Sequence, residues 1–165
     1  MTVEGRARRF GDDINTDYII TSRRKRESLD PQVLRQYLFE ELDPQFAATI
    51  SAGDLIVAGR NFGCGSAMEV AVTAVLGAGI RAVLARGFSR TYYRNAVNNG
   101  LLPVTCDTTE IHEGDALTLT DGSVLNHTTG AELTIEPLPE IMRRIIAAGG
   151  LVAYFREHGD FPAQP

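Results

Sequence analysis

The stretch that most restricts this chain is Ala58-Gly-Arg-Asn-Phe-Gly-Cys-Gly-Ser-Ala-Met-Glu-Val-Ala71, a glycine-rich turn between two apolar runs. Leu55 to Ala58 reads as a short buried strand, and the turn-free apolar run from Val70 reads as a helix. Between them Gly59, Gly63 and Gly65 permit positive φ and close backbone approach, which side-chain-bearing residues resist. Arg81-Ala-Val-Leu-Ala85 supplies a second short apolar strand after the helix. Strand, turn, helix and strand form a βαβ unit with an expected right-handed crossover, so the chain belongs to the α/β class.

Two readings of the turn stand side by side. Ser66-x-x-Glu69 has the spacing of a capping box, which places Ser66 at the N-cap of a helix running from Ala67 to about Gly77 or Gly79. The same position also offers unpaired N–H groups and partial positive charge to a carboxylate, a phosphate or a developing alkoxide. No Lys-Ser or Lys-Thr pair closes the turn, so it is not a phosphate loop. The dinucleotide fingerprint Gly-x-Gly-x-x-Gly and the nucleophile elbow Gly-x-Ser-x-Gly are also missing.

Before the turn, Val3 to Phe10 alternates poorly, and Gly11 to Asp17 is polar and turn-like, ahead of a strand expected at Tyr18-Ile-Ile20. Asp12, Asp13, Asn15 and Asp17 do not have the spacing of a calcium loop, and solvated turn chemistry accounts for them. Ser22-Arg-Arg-Lys-Arg-Glu27 is the densest basic run. It reads as a solvated face, or as a loop gripping a small anion through its arginines. Gln32 to Leu42 carries apolar residues at helical spacing, and Phe46 to Ile50 suggests a short further helix.

After the βαβ unit, Thr91 to Asn99 reads as a helix closed by Gly100, followed by a strand at Leu101 to Thr105. Beyond Glu113 the texture becomes that of antiparallel strands with tight turns at Asp121-Gly122 and Thr129-Gly130. Glu140 to Ala148 is an amphipathic helix ended by Gly149-Gly150, and His158 to Pro165 is expected to be loose.

Length and charge narrow the function. With 165 residues and 44% of them hydrophobic, the chain supports one core and is read as one domain, 1–165, with its body at about 8–157. A net charge of −5 excludes a general nucleic-acid binder. No apolar signal region or membrane-length run appears, so a cytoplasmic location is expected, with no membrane partner. Cys64 and Cys106 are too few thiolates for an iron–sulfur cluster or structural zinc, and His112, His127 and His158 stand apart in surface-like segments. Any such cofactor has to come from another chain.

Four separated segments, in order and in register, give the chain its family resemblance. They are Asp13-Ile-Asn-Thr-Asp-Tyr-Ile-Ile20, Gly59-Arg-Asn-Phe-Gly-Cys-Gly-Ser66, Arg81 to Arg90 with Asn99-Gly-Leu-Leu-Pro103, and Glu136-Pro-Leu-Pro139 with Ala148-Gly-Gly-Leu-Val152. Together they resemble the small subunit of the isopropylmalate dehydratase and homoaconitase group in the aconitase superfamily. The resemblance implies a three-layer β/β/α swivelling domain of the aconitase C-terminal type, with a mixed sheet around the βαβ unit. It further implies a large-subunit partner that carries a [4Fe–4S] cluster, and hydro-lyase action on a small 2-hydroxy acid.

Carried over by position, the resemblance makes Ser66 the base that removes a proton next to a carboxylate and Asp17 the active-site acid residue. Substrate contacts fall to Gly65, Ala67 and Met68 in the turn and to Arg23, Arg24 and Arg26 in the basic run. The family normally reads Gly-Ser-Ser-Arg-Glu where this chain has Gly65-Ser-Ala-Met-Glu69, so a hydroxyl and a carboxylate-gripping arginine are replaced. The replacement points to a substrate with an altered group at that place, to an arginine of the Arg23 to Arg26 run reaching the vacated position, or to a non-catalytic regulatory or structural partner derived from the same subunit.

Overall fold

The architecture grows outward from β1 (Val3–Arg9), the strand whose pattern is least regular in the sequence. In the computed structural model, which describes residues 2–161, β1 is the middle strand of seven. It pairs in parallel with β2 (Leu55–Ala58) and antiparallel with β5 (Ala116–Leu119). Its poor alternation has a physical cause. Arg8 is only 6% exposed, with its guanidinium bonded to Glu113 at 2.8 Å and to Thr49 Oγ1 at 3.0 Å and lying over the Phe46 ring. Arg8 falls on the face of Glu4 and Arg6, and its pairing is what lets a charged residue be buried there.

On one side the sheet continues in parallel through β3 (Ala82–Ala85) to β4 (Leu102–Thr105). On the other it continues antiparallel through β6 (Ser123–Asn126) to β7 (Glu132–Thr134). Both faces of β2 and β3 are covered, which explains their unbroken apolar runs. Ile56, Ala58, Val83 and Ala85 belong to one core with the α5 helix (Val70–Gly77). Leu55, Val57, Ala82 and Leu84 belong to a second core. Leu117, Leu119 and Val124 from the antiparallel half join that second core, as do Ile145, Ile146 and Tyr154. The sheet therefore curls over its own second face, giving the β/β/α layering expected from the resemblance.

The helices before the turn differ from the expected ones. Tyr18-Ile-Ile20 is not a strand: α1 (Thr16–Ile19) forms there because the Asn15 side chain accepts from Asp17 N–H and so caps a helical turn. The basic run is α2 (Ser22–Glu27), capped by Thr21. The single helix expected from Gln32 to Leu42 is instead α3 (Pro31–Leu34) and a 3-10 turn (Arg35–Tyr37). Helical winding ends at Leu38 because Phe39 has φ 55° and donates its N–H to Ile19 O at 2.9 Å. Phe39 is thereby stacked on Phe10 at 4.1 Å and set edge-on to Phe46 at 4.8 Å, and this aromatic cluster outweighs the local helical preference.

The remaining helices are α4 (Phe46–Thr49), α6 (Arg90–Asn99), α7 (Glu140–Ala147) and α8 (Leu151–His158). Gly100 closes α6 in the left-handed conformation, as its sequence predicts. Of the tail, residues 158–161 are described and 162–165 are not. Phe161 lays its ring against Phe155 at 4.7 Å. Among the described residues no helix is long and apolar enough to cross a membrane.

Candidate active site

Loops leaving the carboxyl ends of parallel strands converge where the α/β sheet can build a site. Here the loops after β1, β2 and β3 are laced together by backbone bonds. Gly59 N–H donates to Gly11 O, Asp13 N–H to Arg60 O, Gly63 N–H to Ile14 O, and Thr16 N–H to Cys64 O, all at 2.7–2.9 Å. Phe62 N–H donates to Gly87 O and Ser89 N–H to Phe62 O, both at 2.9 Å. Asp12 ties the same three loops through its carboxylate, accepting from Arg60 N–H at 2.7 Å and from the Arg86 guanidinium at 2.9 Å. The Arg60 N–H, and then Arg86, hold the Asp12 carboxyl below its usual range.

Two glycines make this lacing possible. Gly63 and Gly65 have φ of 76° and 96°, and a Cβ on either would overlap a neighbour, the Tyr92 ring at Gly63 and the Asn15 side chain at Gly65.

Ser66 stands at the open end of the turn, exposed, and its hydroxyl bonds to no described residue. The expected capping box is absent. The α5 helix begins at Val70, and Glu69 occupies the cap position without a side-chain bond. The cause lies in the Ser66 backbone. Its N–H donates to Thr16 Oγ1 at 3.1 Å and its carbonyl accepts from the same oxygen at 3.0 Å. The Ser66 carbonyl is thus engaged by a side chain that is part of the core, Thr16 being 1% exposed, and does not start the helix. The Ser66 hydroxyl is left unengaged. The backbone N–H groups of Gly65, Ala67, Met68 and Glu69 have no acceptor among the described residues.

Asp17 follows Thr16 directly, so one dipeptide holds the serine and carries the acid. Asp17 Oδ1 accepts from Ser22 N–H at 2.9 Å and from Ser22 Oγ at 2.6 Å. Ser22 Oγ also lies 4.0 Å from Met68 Sδ. Met68 itself is 3% exposed and belongs to the first core. Of the predicted site residues, Gly65, Ser66 and Ala67 are exposed, Met68 is buried, and Asp17 is tied to the turn through its neighbour Thr16 and through Ser22.

The arginines divide. Arg24 is engaged within the chain: Nε and Nη2 reach the two carboxylate oxygens of Glu40, both at 3.0 Å, and the guanidinium lies 3.6 Å from the Tyr37 ring centroid. This fork keeps Arg24 charged and draws Glu40 below its usual range. Arg23 is mostly exposed, 3.9 Å from Glu40, and Arg26 is exposed without an ion pair among the described residues. The residues whose roles sequence reasoning missed are Asn15, which caps α1, Thr16, which holds the Ser66 peptide, and Ser22, which bonds the Asp17 carboxylate, roles that become visible only once the loops meet.

Neither the acidic turn nor the thiols assemble a metal centre. Asp12 bonds Arg60 and Arg86, Asp13 bonds Asn61, Asn15 caps α1, and Asp17 bonds Ser22. Among the described residues no group of three or more His, Cys, Asp or Glu could hold a metal ion. Cys106 is buried, and that burial raises its thiol to about 11, a poor state for a thiolate ligand. The donor set of this chain does not fit an iron–sulfur cluster.

A family profile described as the aconitase C-terminal domain matches residues 39–109. The chain is 44% identical to "3-isopropylmalate dehydratase small subunit 2" of Archaeoglobus fulgidus, over 97% of this chain and 98% of that one. It is 41% identical to the "Methanogen homoaconitase small subunit" of Methanocaldococcus jannaschii, over 95% and 93%. The crystal structure of 3-isopropylmalate dehydratase (LeuD) from Methanocaldococcus jannaschii superposes with a TM-score of 0.93 at 40% identity, covering 96% of both chains.

Proposed function

The chain belongs to the small-subunit family of 3-isopropylmalate dehydratase and homoaconitase, and on that premise we propose that it supplies half of the active site of a two-subunit hydro-lyase. The other half, including a [4Fe–4S] cluster, comes from a large subunit. When bound there, the cluster supplies a Lewis-acidic iron for the substrate hydroxyl. This chain's own part is to position a proton-transfer group and to read the substrate.

In this reading Ser66 Oγ takes the proton from the carbon next to a substrate carboxylate. A serine hydroxyl is a weak base at neutral pH, so its alkoxide needs donors placed beforehand. The unpaired N–H groups of Ala67, Met68 and Glu69 are next to it in sequence and supply that role. Asp17 is the second polar group facing the reacting acid. The observation that carries the reading is the unengaged Ser66 hydroxyl on a backbone clamped by Thr16.

The α2 helix reads the variable part of the substrate. Arg24 is engaged by Glu40, which leaves Arg23, Lys25 and Arg26 exposed on α2; of these, Arg26, the position picked out by the family resemblance, helped by Arg23, is assigned to meet a substrate carboxylate. The substrate is a 2-hydroxy acid related to 3-isopropylmalate that either lacks a carboxylate at the place where the family resemblance implies an arginine at position 68, the reading we favour, or has that carboxylate met by an arginine of α2.

The direct test is reconstitution. Under anaerobic conditions with iron and sulfide, this chain alone should stay colourless and inactive, and mixing with a cluster-bearing large subunit should give hydro-lyase turnover. A stoichiometric cluster on the isolated chain would overturn the two-subunit reading. A stable complex without turnover on any 2-hydroxy acid would favour the non-catalytic alternative, to which the loss of arginine at Met68 lends its support.

A further inference from the structure

Ser22 bonds Asp17 twice, and we infer that Ser22 is a positioning residue which fixes the Asp17 carboxylate for the reaction. The inference rests on the proposed role of Asp17 and adds a residue to it. A carboxylate on a flexible side chain can turn either oxygen toward a substrate. Asp17 Oδ1 takes a hydroxyl bond of 2.6 Å and an amide bond of 2.9 Å from the same residue, while Oδ2 accepts from no described residue. Two donors on one oxygen define the carboxylate plane and leave the other oxygen for chemistry.

The setting of Ser22 explains why the hydroxyl points that way. Among the described residues its hydroxyl has one other hydrogen-bond acceptor in reach, Met68 Sδ at 4.0 Å. A thioether is a weak acceptor and an ionised carboxylate a strong one, so the proton goes to Asp17. The amide is free to join because Ser22 is the first residue of α2, where N–H groups have no helical partner. Met68 thus has a part in the site without touching a ligand: its sulfur fills the space beside Ser22 and does not compete for the hydroxyl.

Two measurements test the inference, and they separate its failure from that of the functional reading. In the isolated chain, exchange of the Ser22 amide hydrogen should be at least about tenfold faster in Asp17→Ala than in the wild type, because the bond to charge is lost. Unchanged exchange would overturn the clamp whatever the assembled enzyme does. In the reconstituted enzyme, Ser22→Ala should lower kcat by about tenfold with KM within a few-fold, and Ser22→Thr should restore it. In an Asp17→Asn background, Ser22→Ala should change kcat by less than about twofold. Wild-type kcat in Ser22→Ala, or an equal loss in both backgrounds, would overturn the positioning role. A wild-type enzyme without turnover would sink the functional reading and the role in reaction together, with the exchange result still reporting on the clamp.

Discussion

The candidate site is bordered by two segments of similar size that are held in place by different physics. The Gly59 to Glu69 turn is fixed by backbone bonds from the loops after β1 and β3, by Asp12, and by Thr16 on the Ser66 peptide groups. The α2 helix buries no residue and is held by its Thr21 cap, by Ser22 on Asp17, and by the fork of Arg24 on Glu40. Main-chain lacing resists change because every substitution but proline keeps the same N–H and C=O groups; the Ser66 peptide, by contrast, depends on the Thr16 side chain. A side-chain tether can be replaced residue by residue. The chemistry-bearing serine is on the first kind of segment, with Thr16 as its own anchor, and the substrate-reading arginines are on the second, so specificity can vary while the base stays in place as long as Thr16 is kept.

The contrast can be broken most severely at Gly65. Gly65→Ala should destabilise the chain by about 3 kcal/mol, through left-handed strain and contact with Asn15, as read from denaturant unfolding. A loss below about 1 kcal/mol would mean the turn is not rigid. Thr16→Val is smaller, since it keeps shape and removes one hydroxyl with its two bonds to Ser66 and a longer one to Asn15. We expect a loss of about 2 kcal/mol and faster amide exchange at Ser66. Unaltered exchange there would show that Thr16 does not hold the serine.

Arg24→Ala should affect only the side-chain-held segment. A small stability loss is expected, with faster exchange in α2 and none in the Gly59 to Glu69 turn. Spread of the change into the turn would erase the distinction between the two regions. The mildest probe is acid. Asp12 and Glu40 are held below their ordinary values of 3.8 and 4.5, by Arg60 and Arg86 and by Arg24 respectively. Folded-state values that are depressed add stability that is complete above the unfolded values and fades as pH falls through the lowered ones. Stability should therefore be flat from about pH 5 to about pH 8 and decline below that range. In Asp12→Asn and Glu40→Gln the decline should be shallower, and an unchanged slope would contradict the assignment.

How much of this was legible in the sequence depends on how far away each determinant lay. The βαβ unit and the hairpin at Asp121-Gly122 follow from local periodicity and turn residues, and they appear where they were expected. Phe39 and Arg8 defeat local reading because their partners, the Phe10 and Phe46 rings and the Glu113 carboxylate, lie elsewhere in the chain. The capping box failed for the same reason: Thr16, fifty residues away, takes the carbonyl that would have started the helix. Short helices α1 and α2 escaped because their caps, Asn15 and Thr21, sit in segments that look like loop and strand.

The central claim is that the turn exists to present the Ser66 hydroxyl, which contributes nothing to the fold. Ser66→Ala in the reconstituted two-subunit enzyme tests it most directly, with turnover, partner affinity and unfolding measured on the same preparations. The account predicts a loss of turnover of roughly 10²-fold or more, unchanged partner affinity, and a stability change under about 0.5 kcal/mol, since no cap is lost. Turnover within a few-fold of wild type, or a stability loss near the roughly 1 kcal/mol of an N-cap, would contradict it.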